Sequence, residues 1–328
     1  MKSNFSLIAA AVLGVLPLAG LPACAADYKL LMEIPVGGAG GFDYLTVDPD
    51  ARRLYVSHGT KAVVIDLEAN KVVGEIADTP GIHGVAIATD LGIGYTSNGR
   101  EAKASMFDLK TLATKQKVET GLNPDAILYE PGKQEIYTFN GRGNSATVIE
   151  AKTGKVVATI PLSGKPETGV ADPKAGRVYN NIETKNEIAV IDTATHTVVT
   201  NWPIAPGGEA AGMAIDLEHH RLFVGCHLPE AKPVMEMLDS ATGKIVASVP
   251  IGTGTDATAF DPGTQLAFSS CGDGTVTIAH EDSPDKLTVV QTLTTARGAR
   301  TMTVDSKTHR IYLVTGQNDT FKVLVYGM

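Results

Sequence analysis

One long-period pattern in the chain gathers the residues best suited to chemistry. Asp43, Asp125, Glu167, Asp256 and Arg300 fall about 42 to 45 residues apart, or twice that, with Gly84 and Ala211 in the two remaining places. A second series follows each of these by 14 or 15 residues and reads His58, Asn98, Asn140, Ile182, Cys226, Cys271 and Thr315. His83, Glu209 and His227 stand beside these positions, and Arg100 and Arg142 come just after Asn-Gly pairs. Carboxylate with imidazole is the usual ligand set for divalent metals of intermediate softness, so Asp43, His58 and His83 are the metal-ligand candidates. Asp125, Glu167, Asp256, Arg300, Arg100 and Arg142 complete a charged set for a small polar or cationic ligand. The structural alternative is that the acids cap neighbouring backbone N–H groups and Arg300 neutralises them.

Cys226 and Cys271 share one register position 45 residues apart. Three states are open to them: a disulfide favoured by an oxidising compartment, inert thiols, or a thiolate metal or redox pair beside His227. His219 and His220 fall in a turn far from the acidic series and are read as solvated. His196 and His309 receive no role, and the lone Trp202 is read as packing.

Several functional classes receive no support. The chain lacks H-E-x-x-H, G-x-S-x-G, G-x-x-x-x-G-K and EF-hand spacing. The Gly37–Gly41 run precedes no helix and is read as a blade connection, not a phosphate cradle. A net charge of -8 gives no basic field for a phosphate backbone, so nucleic acid is not an expected partner.

The elements that must position these residues are short strands. An apolar-aromatic segment recurs as Leu54-Tyr55-Val56, Ile136-Tyr137-Thr138, Val178-Tyr179-Asn180, Leu222-Phe223-Val224 and Ile311-Tyr312-Leu313, with degenerate copies around Tyr95 and Phe268. Six residues before each leading aliphatic stands an acid, often followed by proline: Asp48, Glu130, Asp172, Asp216, Asp261 and Asp305. Such pairs preset turns. With Asn-Gly and Gly-Lys turns further on, each unit holds four short strands, and no long helical periodicity follows residue 25.

Seven units are counted, and the last lacks its fourth strand. The segment Tyr28–Pro35 has the fourth-strand pattern and no unit of its own, so it is expected to complete the last blade and close the ring. The fold class is all-β, a seven-bladed β-propeller of four-stranded blades. The Leu54–Ser57, Ile136–Phe139 and Ile311–Thr315 blocks, with Val-Ile-Asp about ten residues after the first, resemble the YncE-like YVTN-repeat seven-bladed β-propeller family. That resemblance covers essentially all of residues 26–328. It implies a bacterial exported propeller with no activity shared across the family.

Residues 1–25 read as a signal peptide, with Lys2, an apolar Leu7–Leu21 stretch and Ala23-Cys24-Ala25 at the cleavage site. Lipidation at Cys24 is the alternative. Cleavage leaves residues 26–328 as a single propeller domain with 27 basic and 36 acidic residues, since only Lys2 is lost, and no transmembrane span. The leading functional reading is a periplasmic, non-enzymatic binding protein with a small-ligand or divalent-metal site at one mouth of the channel. A lactonase, lyase or metal-assisted hydrolase using the same mouth is the first alternative, and a scaffold for another exported protein is the second.

Overall fold

The computed structural model describes residues 26–38, 40–227, 233–316 and 320–328. The expected signal peptide, including Cys24, lies outside them. Seven sheets of four antiparallel strands form the fold, one for each repeat. Blade one runs from Leu45 to Ile76, and its inner strand Leu45–Asp48 is the first of four in sequence order. Inner strands Ile82–Ala88, Pro124–Glu130, Pro166–Asp172, Gly208–Asp216, Thr255–Asp261 and Met302–Asp305 open blades two to seven. The all-β seven-bladed propeller expected from the repeats is the observed architecture.

The repeated acids explain the turns between first and second strands. Asp48 accepts the N–H groups of Asp50 (3.0 Å) and Ala51 (2.9 Å), and Glu130 accepts those of Gly132 and Lys133. These carboxylates are buried because the turn amides replace their water. Blade two has Ala88 at this position and uses the short 3-10 turn Thr89–Leu91 instead. The aromatic residue of each second strand fills the space between blades: Tyr55, Tyr95, Tyr137, Tyr179, Phe223, Phe268 and Tyr312 are all buried. Tyr95 and Tyr179 also donate to carbonyls of the following blade, at Ala151 (2.7 Å) and Ser240 (2.8 Å).

The ring closes as the two unmatched ends require. Lys29–Pro35 pairs antiparallel with Lys322–Gly327 and becomes the outer strand of blade seven. Tyr28 sits edge-on to Phe268, its hydroxyl donates to the His309 carbonyl at 2.7 Å, and Gln291 holds its backbone. Ile34 is buried in the shared core of blades one and seven. Trp202 stacks on Tyr179 in the blade-four core, so packing is its observed place.

Candidate functional site at the channel mouth

The inner strands do not begin as regular ladders. In blades two to six the pairing with the second strand slips near its start: between Ile82 and Val85, Pro124 and Ile127, Pro166 and Gly169, Ala210 and Met213, and Thr255 and Ala257. His83, Asp125, Glu167, Ala211 and Asp256 all fall inside these irregular segments. A bulge turns its side chain out of the alternating pattern, so each of these five blades delivers one residue toward the channel mouth.

Second-strand side chains fix that ring of backbone. Ser97 donates to the Asp125 carbonyl at 2.5 Å, Asn181 to that of Ala211 at 2.9 Å and Ser270 to that of Arg300, each one blade onward. Asn180 donates to the Glu167 carbonyl at 2.7 Å, and Ser57 Oγ accepts the Asp43 N–H at 2.7 Å. These positioning groups escape the charge pattern of the sequence, although each lies in the second strand within two residues of its mouth end.

The mouth holds a 340 Å³ cavity lined in part by Asp43, Asp125, Glu167, Asp256, Arg300 and Lys165. At its edge, His83 Nδ1 lies 2.7 Å from Asp43 Oδ2 and 3.3 Å from Asp125 Oδ1. The ligand atoms of these three residues all lie within 4.8 Å of one another. Tyr44 projects across the channel and donates to Glu167 Oε1 at 3.1 Å. Lys165 pairs with Glu167 (3.0 Å) and with Glu183, and Arg300 Nε pairs with Asp256 Oδ2 at 2.8 Å.

Charge does not balance in this cavity. Five carboxylates (Asp43, Asp125, Glu167, Glu183 and Asp256) face the two permanent cations Lys165 and Arg300. Burial, then the charges of Asp43 and Glu167, push the Asp256 carboxyl up to about 7 in spite of Arg300. Burial raises Asp125 and Glu167 as well, and each has a carboxylate neighbour that adds to the rise. Burial alone would lower the basicity of His83, but the Asp43 hydrogen bond and the charges of Asp125, Asp43 and Glu167 outweigh it and raise it. The mouth therefore draws positive charge onto a partly buried imidazole.

The sequence-derived site is regrouped in three respects. His58 does not join Asp43 and His83: its ring is buried, stacks on Phe321 at 4.1 Å and contacts the Gly37 carbonyl at 3.1 Å through Nε2. The glycine run folds over it, and a Cβ on Gly40 would meet His58 Nδ1 at 2.7 Å. Asp125 stands in its place. Arg100 and Arg142 are exposed and make no ion pair among the described residues, and neither lines the cavity. Cys226 and Cys271 are free, buried thiols, so the disulfide is not formed. Lys165, Glu183 and Tyr44 are site residues missing from the sequence-derived set, while His227 lines the cavity as its position beside Cys226 suggested.

A larger groove of 680 Å³ lies at the other end of blades one and two. Among its acids, Asp48 and Asp108 are engaged with turn amides and Asp50 pairs with Lys307.

No family model matches the chain, and no curated protein sequence does. A solved structure from Kuenenia stuttgartiensis, a hydrazine synthase, is similar at a TM-score of 0.76 and 18% identity, covering 88% of this chain and 96% of that one. At that identity the likeness carries the propeller fold and nothing of the activity.

Proposed function

We propose that the protein is an exported β-propeller binding protein whose channel mouth takes a small cation. Among such ligands, a divalent metal ion fits the Asp43–His83–Asp125 donor set. The observation that supports this most is the excess of five carboxylates over two permanent cations around a donor set whose ligand atoms lie within 4.8 Å of one another, because that field would favour any cation placed there. An ion between the two carboxylates would take the place of the proton on His83 Nδ1, so binding would release that proton and weaken as pH falls. Glu167 and Asp256 would extend the site toward the channel axis, with Lys165 and Arg300 limiting the charge it accepts.

Export rests on the N-terminal signal pattern and on the resemblance to YncE-like YVTN-repeat propellers. Among the described residues no helix is long and apolar enough to cross a membrane. The enzyme reading has weaker support, since the sequence carries none of the hydrolase motifs sought in it. Titration calorimetry with Mn²⁺ and with a small alkylammonium ion tests the proposal. Heat that is reduced in Asp125→Asn supports it, and identical isotherms for the two proteins, or no heat in either, refute it.

A further inference from the structure

A second cluster, independent of the channel mouth, lies at the opposite end of the inner strands where blades five and six meet. The blade-five inner strand ends at Asp216, whose Oδ1 accepts the Glu218 N–H at 2.9 Å as a turn cap. Its other oxygen, Oδ2, lies 2.6 Å from His219 Nδ1, which donates to it. The third member comes from the next blade. The third strand of blade six, Thr275–Ser283, has nine residues where most of its counterparts have six, and its lengthened hairpin sets Glu281 into the junction.

Glu281 is the residue that turn geometry does not explain. It is 4% exposed, and neither carboxylate oxygen has a hydrogen-bond partner. Its Oε1 lies 3.6 Å from His219 Nδ1, beyond hydrogen-bond reach. Arg221 is close by, but its N–H groups are directed to the Pro284, His219 and His220 carbonyls and to Asp239 and Asp285. A carboxylate held away from water without a partner costs several kcal/mol in general, so the fold tolerates it only with a proton or a cation. The turn histidine His309 shows the contrast: it pairs with Asp261 at 2.7 Å and, among the described residues, belongs to no such three-residue cluster.

We infer that Asp216, His219 and Glu281 form a divalent-cation site. Their ligand atoms all lie within 4.8 Å of one another, and two carboxylates with one imidazole suit first-row divalent ions. The ion's two charges balance the two carboxylates. As His219 Nδ1 takes the metal, the ring binds as a neutral imidazole with its proton on Nε2, and the Nδ1 proton now given to Asp216 is released only from a ring protonated on both nitrogens. A 540 Å³ cavity lined by Asp216, Glu218, His220, Lys174 and Pro262 opens beside Asp216.

The test uses Mn²⁺ as probe on residues 26–328 carrying Asp125→Asn, which disables the channel mouth. Native mass spectrometry and thermal unfolding are read with and without the ion. The site requires one bound Mn²⁺ per chain and a Tm gain in this background, both lost when Glu281→Gln is added. Removing an unpaired buried charge leaves the metal-free variant at least as stable as its parent at pH 8, and His219→Ala in the partly exposed turn gives the same readout should Glu281→Gln not fold. No ion on the Asp125→Asn protein, or an ion retained by Glu281→Gln, overturns the inference. Failure of the channel-mouth proposal appears separately, as equal ion counts in wild type and Asp125→Asn.

Discussion

The Tyr44 hydroxyl donates to Glu167 Oε1 at 3.1 Å across 123 residues of sequence, joining blade one to blade four through the channel. No backbone pairing links these two blades. The contact limits how far the mouth extends down the axis, and it supplies a donor to a carboxylate that burial already disfavours as an anion. Tyr44→Phe leaves that oxygen unsatisfied. Denaturant unfolding at pH 8 is expected to show a loss of about 1–3 kcal/mol, the usual cost of orphaning a buried polar atom, and an unchanged midpoint would contradict the role given to Tyr44.

Stability is expected to fall between pH 5 and pH 8. Burial pushes Glu236 up to about 7, with only the Gly207 N–H to oppose it, and Asp256 also reaches about 7. A carboxyl whose folded pKa lies above its unfolded value stabilises the fold fully below the unfolded pKa, and that stability is lost as pH rises through the folded pKa. Glu236→Gln stays neutral and keeps an oxygen for the Gly207 N–H. Its Tm should exceed that of wild type at pH 8 by a few degrees and not at pH 5. A wild-type Tm that climbs steadily over this range would contradict the assignment.

Deletion of residues 27–35 should cost far more than trimming an ordinary terminus. It strips the outer strand from blade seven, exposes the edge of Lys322–Gly327 and removes Tyr28 and Ile34 from two cores. Loss of cooperative unfolding, or a Tm lower by tens of degrees, is the expected result. A melting curve close to wild type would mean that the ring does not depend on this closure.

Cys226 and Cys271 should resist a thiol reagent until the protein unfolds. Both are fully buried, and burial raises both thiols, Cys271 to about 11, which leaves almost no thiolate at neutral pH. In residues 26–328, two thiols per chain are expected to react with Ellman's reagent in guanidinium, and none without it. Rapid labelling of the folded protein would revive a redox role.

The sequence carried more of the fold than of the site. Turn acids such as Asp48 and aromatics such as Tyr137 repeat because each blade must solve the same packing problem, so a single chain displays the acids six times and the aromatics seven. Asp125, Glu167 and Asp256 were legible for the same reason, as they share one register position. His58 shares the register of the mouth but not its environment, since the connection from the closing strand exists in one blade only and covers it with Gly38 and Gly40. Glu281 was hidden by a local lengthening of one hairpin, which breaks the repeat at the place where it acts. Tyr44 and Lys165 lie one and two residues from the marked positions, so the shared register alone does not pick them out.

Calorimetric titration of Mn²⁺ into residues 26–328 carrying Glu281→Gln, with and without Asp125→Asn, tests the channel-mouth account most directly. The account predicts one site whose affinity drops at least tenfold with Asp125→Asn and weakens from pH 8 to pH 6 as His83 holds its proton more firmly. Equal binding with and without Asp125, or no binding at either pH, would contradict it.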